Sequence, residues 1–196
     1  MIKIMSDKSS YLKKLNAISR SRNVYGNELA DNHKEIGRIL GQEFLNGLPL
    51  KDIKVINPQG KTGINKSVDC SNVTIICLMR AGLFVAEGVR QLLGGSQHIY
   101  LLSNSPEDIK DTNISGKDVV IIDSVINSGK TISAFLDIAK PANSLSVISI
   151  VMQCNFKVVA DNEYPDVKFI VSRTSENYYI GAGQTDTGNR LFGTCN

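Results

Sequence analysis

Val119-Val-Ile-Ile-Asp-Ser-Val-Ile-Asn-Ser-Gly-Lys-Thr131 is the stretch that decides the fold. An apolar run at 119–122 ends in Asp123, continues through Ser124, Val125 and Ile126, and enters a small-residue loop, Asn127-Ser128-Gly129-Lys130-Thr131. A helical pattern follows over 132–139 and stops before Pro141. A short unbroken run of Val and Ile predicts a parallel strand buried on both faces. The loop after it is a physical recipe for an anion site. The first N–H groups of a helix lack intrahelical partners, the dipole favours negative charge, and Gly129 lets the backbone approach closely. Ser128 and Thr131 add hydroxyl donors, and Lys130 a positive charge. Asp123, at the carboxyl end of a strand, lies where open parallel sheets bind ligands, and its acceptor-only carboxylate suits sugar hydroxyls. The plain alternative is an ordinary helix cap by Ser128 or Asn127.

The same alternation extends on both sides. Runs at 73–78, 98–102, 145–152 and 167–171 predict four more buried strands, giving a five-stranded parallel sheet with Arg80 and Asp123 at its carboxyl edge. Helical patterns at 27–45, 82–93 and 156–162 separate them. In the first, Leu29, Ile36, Ile39, Leu40 and Phe44 share a face, and Asn46-Gly47 with Pro49 ends it. A short strand is expected at 53–56, and the Gly-, Lys- and Asn-rich stretch 57–67 reads as loop. The first ten residues are polar and read as loose. The tail, 177–196, is glycine-rich, unlike a core element, and suits a binding loop held by the scaffold.

Composition bounds the function. The chain has 196 residues, 42% hydrophobic and 21% charged, which suits one domain over 1–196 with a sizeable core. A net charge of +3, from 22 basic and 19 acidic residues, gives no footprint for nucleic acid. No apolar run approaches a membrane span. Four cysteines, Cys70, Cys77, Cys154 and Cys195, form no C-x-x-C pair, and Cys77 reads as a core thiol. With no secretory signal, reduced cysteines and a cytoplasmic location are expected. His33 and His98 are isolated, so a zinc site and a serine–histidine triad both lack parts.

Two chemistries compete for the loop. A P-loop, G-x-x-x-x-G-K-[ST], needs glycine at position 124, where Ser124 stands. A phosphoribosyltransferase loop runs strand, acid, hydrophobic stretch, then T-G-G-[ST]; the chain is similar, with Ser128 for the first Thr and Lys130 for the second Gly. The loop alone leaves these two and the simple cap open. Three further segments carry a more specific resemblance. Cys77-Leu-Met-Arg-Ala-Gly-Leu83 is similar to the P-[IL]-L-R-A-G-L segment of uracil phosphoribosyltransferases. Tyr179-Ile-Gly-Ala-Gly-Gln-Thr-Asp-Thr-Gly-Asn-Arg-Leu-Phe-Gly-Thr194 resembles that family's Y-I-V-P-G-L-G-D-A-G-D-R-x-F-G-T. Glu35-Ile-Gly-Arg-Ile-Leu40 with Glu43 is similar to its E-I-G-[RL]-L-L-x-Y-E-A helix. The matches run in one order from about Arg22 to Thr194.

The resemblance implies an α/β fold: a phosphoribosyltransferase-like parallel sheet with helices on both faces and a small hood from the N-terminal region and the C-terminal tail. It implies an enzyme of pyrimidine salvage, joining uracil or a related base to phosphoribosyl pyrophosphate and releasing pyrophosphate. By family match, Arg80, Asp123 and Asp186 are the catalytic set. Arg80 holds the pyrophosphate, Asp123 the ribose hydroxyls, and Ser124, Val125, Ile126, Asn127, Ser128, Gly129, Lys130 and Thr131 the 5′-phosphate, with Asp186 between base and donor. Ile180, Thr185 and Thr187, beside Asp186, present backbone groups to the base. Mg²⁺ rides on the pyrophosphate with no dedicated protein ligands. A symmetric homodimer is implied.

The departures cluster at this site. Thr185-Asp186-Thr187 stands for G-D-A, Ala182 for Pro, and Asn189 for the second Asp. A Thr185 side chain is expected to crowd the base. A second donor-binding arginine is missing near Ser103, and the covering arm between Ser105 and Asp118 is short. These changes weaken pyrophosphate binding and water exclusion. The alternative is therefore a catalytically weakened or inactive relative that binds nucleotide or phosphoribosyl pyrophosphate as a regulatory protein.

Overall fold

The computed structural model describes residues 1–94, 98–103, 105–178 and 180–194. Tyr179 and Cys195, named above, lie outside the described residues. In chain order the strands are β1 (Ile2–Ile4), β2 (Leu50–Ile56), β3 (Thr62–Val68), β4 (Val73–Leu78), β5 (His98–Leu102), β6 (Asp118–Ile126), β7 (Ser144–Gln153) and β8 (Lys168–Ser175). The helices are α1 (Ser10–Arg20), α2 (Gly26–Leu45), α3 (Leu83–Leu93), α4 (Lys130–Ile138), α5 (Cys154–Glu163) and α6 (Thr187–Phe192). Six strands form an all-parallel sheet in the order β1-β8-β7-β6-β4-β5, and β2 pairs with β3 as a separate antiparallel hairpin.

Adjacent residues along each central strand feed opposite cores, which is why these segments read as unbroken apolar runs. Ile75, Cys77, Val120 and Ile122 meet Leu12, Leu15, Ile36, Leu40, Phe44, Val85 and Val89 from α1, α2 and α3. Ile76, Leu78, Val119 and Ile121 meet Phe135 and Leu136 of α4 and Phe156 and Ala160 of α5. The expected parallel sheet with helices on both faces is thus present. Cys77 is fully buried, as expected of a core thiol, and burial followed by the Asp123 charge pushes it up to about 12. No described helix is long and apolar enough to cross a membrane.

Four expectations need correction. The first ten residues are ordered: Ile2, Lys3 and Ile4 pair in register with Phe169, Ile170 and Val171, giving a sixth strand, and a 3-10 turn at Ser6–Lys8 leads into α1. The 57–67 stretch is half strand, because β3 pairs along its length with β2; its outward residues are exposed on both sides and carry no apolar alternation. Asn57 turns the hairpin, its Oδ1 accepting from the N–H groups of Gln59 (3.0 Å) and Lys61 (2.9 Å). β6 runs three residues past Asp123. The tail is anchored in the fold: Leu191 of α6 packs on Leu29 and Ala30 of α2. Arg190 donates to the carbonyls of Ser19 (3.1 Å), Ser21 (2.7 Å) and Val24 (2.7 Å). The connection between α1 and α2 and the tail are thereby joined as the expected hood.

Candidate active site

The strand order turns at β4 and β6. From β4 the chain steps outward to β5 by way of α3; from β6 it steps the other way to β7 by way of α4, on the opposite face. Crevices form at such switch points, outside the carboxyl ends of the strands. Here the crevice is deepened by a step. β4 pairs with β6 only as far as Cys77 opposite Ile122, while β6 continues beside β7 to Ile126 opposite Met152. Asp123 is the first residue of β6 past its pairing with β4.

The turn after β4 delivers the arginine to this place. A Cβ at Gly82 would lie 2.6 Å from the carbonyl oxygen of Ile122 and 2.7 Å from that of Leu78, so only glycine lets the turn lie against β6. The Met79–Arg80 peptide is cis. Arg80, Asp123, Val125, Asp186 and Thr187 then line one cavity of about 320 Å³, with Gly181 of the hood across from the strands. Arg80 and Asp123 therefore share the carboxyl edge, as the sequence leads one to expect.

Electrostatics distinguish the two carboxylates. Burial pushes Asp123 up to about 6, although it accepts a 2.7 Å hydrogen bond from the Ser124 N–H and a further pull from the Val125 N–H. A group that loses water without gaining a cation is arranged to receive donors from a ligand. Asp186 caps α6 by accepting from the Asn189 N–H at 2.7 Å, and its Oδ1 lies 3.7 Å from Nη2 of Arg80. Arg80 also donates to Asn189 Oδ1 (2.8 Å) and Thr194 Oγ1 (3.3 Å). The arginine that faces this cavity is thus latched to the hood by neutral oxygens and one loose ion pair.

Beyond β6, Gly129 takes φ 77° and opens α4. A Cβ there would fall 1.9 Å from the Phe156 ring, so both conformation and space require glycine. Ser128 and Lys130 are exposed, Asn127 and Thr131 half-buried. Gly129→Leu is expected to lose roughly 1–3 kcal/mol of stability from strain and overpacking. Thr131→Val should keep the fold and weaken ribose 5-phosphate binding about tenfold, as loss of a hydrogen bond to a charged group does. Calorimetry with ribose 5-phosphate checks both; unchanged affinity in folded Thr131→Val removes this loop from the phosphate site.

Several residues inferred from sequence lie elsewhere. Ser124 points away from the cavity, its Oγ 3.4 Å from Nδ1 of buried His33; burial and then the Arg190 charge lower that imidazole to about 3. Ile126 is in the core. Ile180 is exposed in the hood. Thr185 does not line the cavity of Arg80 and Asp123. Its Oγ1 lies 2.9 Å from the carbonyl oxygens of Ile180 and Ala182 and accepts from the Ala182 N–H at 3.1 Å, so the side chain ties its own loop together. Ser103 Oγ donates to Asp108 at 2.8 Å, closing a turn into the 3-10 helix Pro106–Asp111. Asn189 and Thr194 were visible only as members of the tail motif; nothing in their spacing shows that they meet Arg80, more than a hundred residues earlier. Among the described residues no three His, Cys, Asp or Glu side chains gather to hold a metal.

A family model described as uracil phosphoribosyltransferase matches residues 5–194. The chain belongs to that family. The uracil phosphoribosyltransferase of Clostridioides difficile (strain 630) is 26% identical over 210 residues, covering 99% of this chain and 100% of its own length. That of Dictyoglomus thermophilum is 28% identical over 191 residues, covering 89% and 91%. Among solved structures, the AQ2163 protein from Aquifex aeolicus superposes with a TM-score of 0.83 at 21% identity, covering 100% of this chain and 99% of its own. Family and fold are those of a phosphoribosyltransferase. In family terms the latch on Arg80 gains a meaning: Asn189, which accepts from it, stands where the relatives' motif has a second Asp.

Proposed function

We propose that this protein transfers the phosphoribosyl group of phosphoribosyl pyrophosphate to uracil or a related base in pyrimidine salvage, releasing pyrophosphate. The observation that carries the reading is the meeting of Arg80, Asp123 and Asp186 on one cavity at the switch point, one strand-end away from the α4 loop. The loop N–H groups take the 5′-phosphate. Asp123 accepts from the ribose hydroxyls, and ionises as it does so. Arg80 leaves Asn189 and Thr194 to hold the pyrophosphate, whose charge grows as its bond to the anomeric carbon breaks; its planar fork suits that oxyanion. Asp186 faces the cationic ribosyl carbon as the base arrives beneath the backbone of Ile180, Thr185 and Thr187. The carboxylates of Asp123 and Asp186 on one cavity would suit the water shell of a Mg²⁺ brought by the pyrophosphate, which would supply positive charge for the leaving group. With the reading go a single domain, a cytoplasmic location, small-molecule partners and a symmetric homodimer.

A second reading, the weakened relative, is favoured by one observation. The segment between β5 and β6 buries Ile109 and Ile114 in the core and commits Ser103 to Asp108, so it supplies neither arginine nor mobile cover. A pyrophosphate-release assay with phosphoribosyl pyrophosphate and a panel of bases decides. Slow turnover on one pyrimidine is expected. Ser103→Arg should raise it, whereas Thr185→Gly should lower it by loosening the hood. No pyrophosphate from any base, with the donor or a nucleotide bound, selects the weakened relative; binding of neither donor nor nucleotide removes both readings.

A further inference from the structure

A second cavity, of about 250 Å³, shares Val125 and Thr187 with the donor cavity and reaches to the ends of β7 and β8 under the α1–α2 connection. Three arginines line it, Arg20, Arg173 and Arg190, and no aspartate or glutamate does. Elsewhere the chain pairs its half-buried charges: Lys3 and Lys168 lie 2.8 and 3.3 Å from Glu43, and Arg38 lies 2.8 Å from Glu35. Three cations round one half-open cavity, without a carboxylate on its wall, are costly where they lose water unless something anionic joins them.

The three are not equivalent. Arg190 spends both terminal nitrogens on the carbonyls of Ser19, Ser21 and Val24 and is structural. Arg20 is exposed at the end of α1. Arg173, on β8, is half-buried. Its one hydrogen bond among the described residues is long, 3.4 Å from Nη1 to the Thr174 carbonyl, and its Nε is buried with no acceptor. Burial, and then the Arg20 charge, lower its pKa, the mark of a cation short of a partner. Neutral hydrogen-bonding groups complete the wall: Ser19, Ser175 and Gln153, whose amide donates to the Asn177 carbonyl and so fixes the strand ends. His33, also on the wall, is held neutral and supplies no negative charge.

We infer that this cavity binds the oxyanion of a small ligand, a carboxylate or a phosphate, on the guanidinium of Arg173, with Arg20 closing from the rim. The shared wall at Val125 and Thr187 allows two sources: an acidic substituent on the ring that accepts the ribosyl group, or the phosphate of an effector that sits beside it. Anion binding itself needs no turnover; only the acceptor source rests on the transferase reading.

Calorimetry on the full chain tests it, with orotate as a pyrimidine carboxylate, uracil as its neutral counterpart, and inorganic phosphate. Thr131→Val is the background, so that phosphate on the α4 loop is suppressed. Orotate or phosphate should bind, uracil more weakly, and Arg173→Gln should cut anion affinity on the order of tenfold or more, as loss of a charged hydrogen-bond partner does. Arg173→Lys should restore part of it, and Asp123→Asn, in the donor cavity, none of the loss. Removal of a half-buried charge that faces no carboxylate should leave the melting temperature of Arg173→Gln unchanged or higher in anion-free buffer, which separates lost binding from lost folding. Binding of orotate accompanied by pyrophosphate release marks the acceptor source, and binding of phosphate alone the effector source. The inference is overturned if neither anion binds, if Arg173→Gln binds them as the unaltered chain does, or if Asp123→Asn abolishes binding that Arg173→Gln leaves intact.

Discussion

Asp123→Asn should make the unliganded protein more stable above pH 6 while removing its ability to bind phosphoribosyl pyrophosphate. The two effects have one cause. A carboxyl held at about 6 in the folded chain, against an ordinary 3.8, binds its proton more tightly folded than unfolded. Its favourable contribution is complete below the unfolded value and is lost as pH rises through about 6, so the ionised group burdens the fold at pH 8. The difference between the two values corresponds to roughly 2–3 kcal/mol. Asparagine keeps an oxygen for the Ser124 N–H and carries no charge. Denaturation curves should therefore diverge as pH rises from about 4 to about 6 and run parallel above about 7, the variant being nearly flat where the natural chain declines. Donor affinity should fall at the same time, since an uncharged amide is a poorer acceptor for two hydroxyls. A variant less stable than the natural chain at pH 8, or one that binds donor equally well, would show that Asp123 serves packing instead.

Arg80→Ala should lower kcat/KM on the order of a hundredfold to a thousandfold, the usual range for deleting a group that meets charge developing in the transition state. The fold should scarcely notice. The side chain is 48% exposed, its partners Asn189 and Thr194 are neutral, and its ion pair with Asp186 is loose at 3.7 Å. Arg80→Lys keeps the charge but not the fork, and should fall between the two. Asn189→Asp is the informative companion. A charged acceptor would hold Arg80 more firmly to the hood, so donor affinity should drop even though charge at the site looks closer to the family motif. A large loss of melting temperature in Arg80→Ala, or donor affinity unchanged, would place this arginine in the scaffold.

The sequence by itself determined the central sheet and the two segments that meet over it. β4, β6 and β7 are buried on both faces, so their apolar runs need no partner to be recognised, and Gly82 and Gly129 announce the turns that follow. Strand, acid, glycine and helix come from one local stretch, and so Asp123 and the α4 loop were legible together. Other features were decided only by the tertiary structure. β1 has three residues and acquires its meaning from β8, far along the chain. β3 is solvated on both sides and is a strand only because β2 pairs with it. That the Thr185 hydroxyl closes its own loop is visible only in the folded chain. Arg80 meets Asn189, and Arg173 shares a cavity with Arg20 and Arg190, through contacts between residues distant in sequence. Local pattern records which face a residue turns to the core. It does not record which distant side chain stands across from it, because that depends on how the strands are ordered and how far each runs past its neighbour.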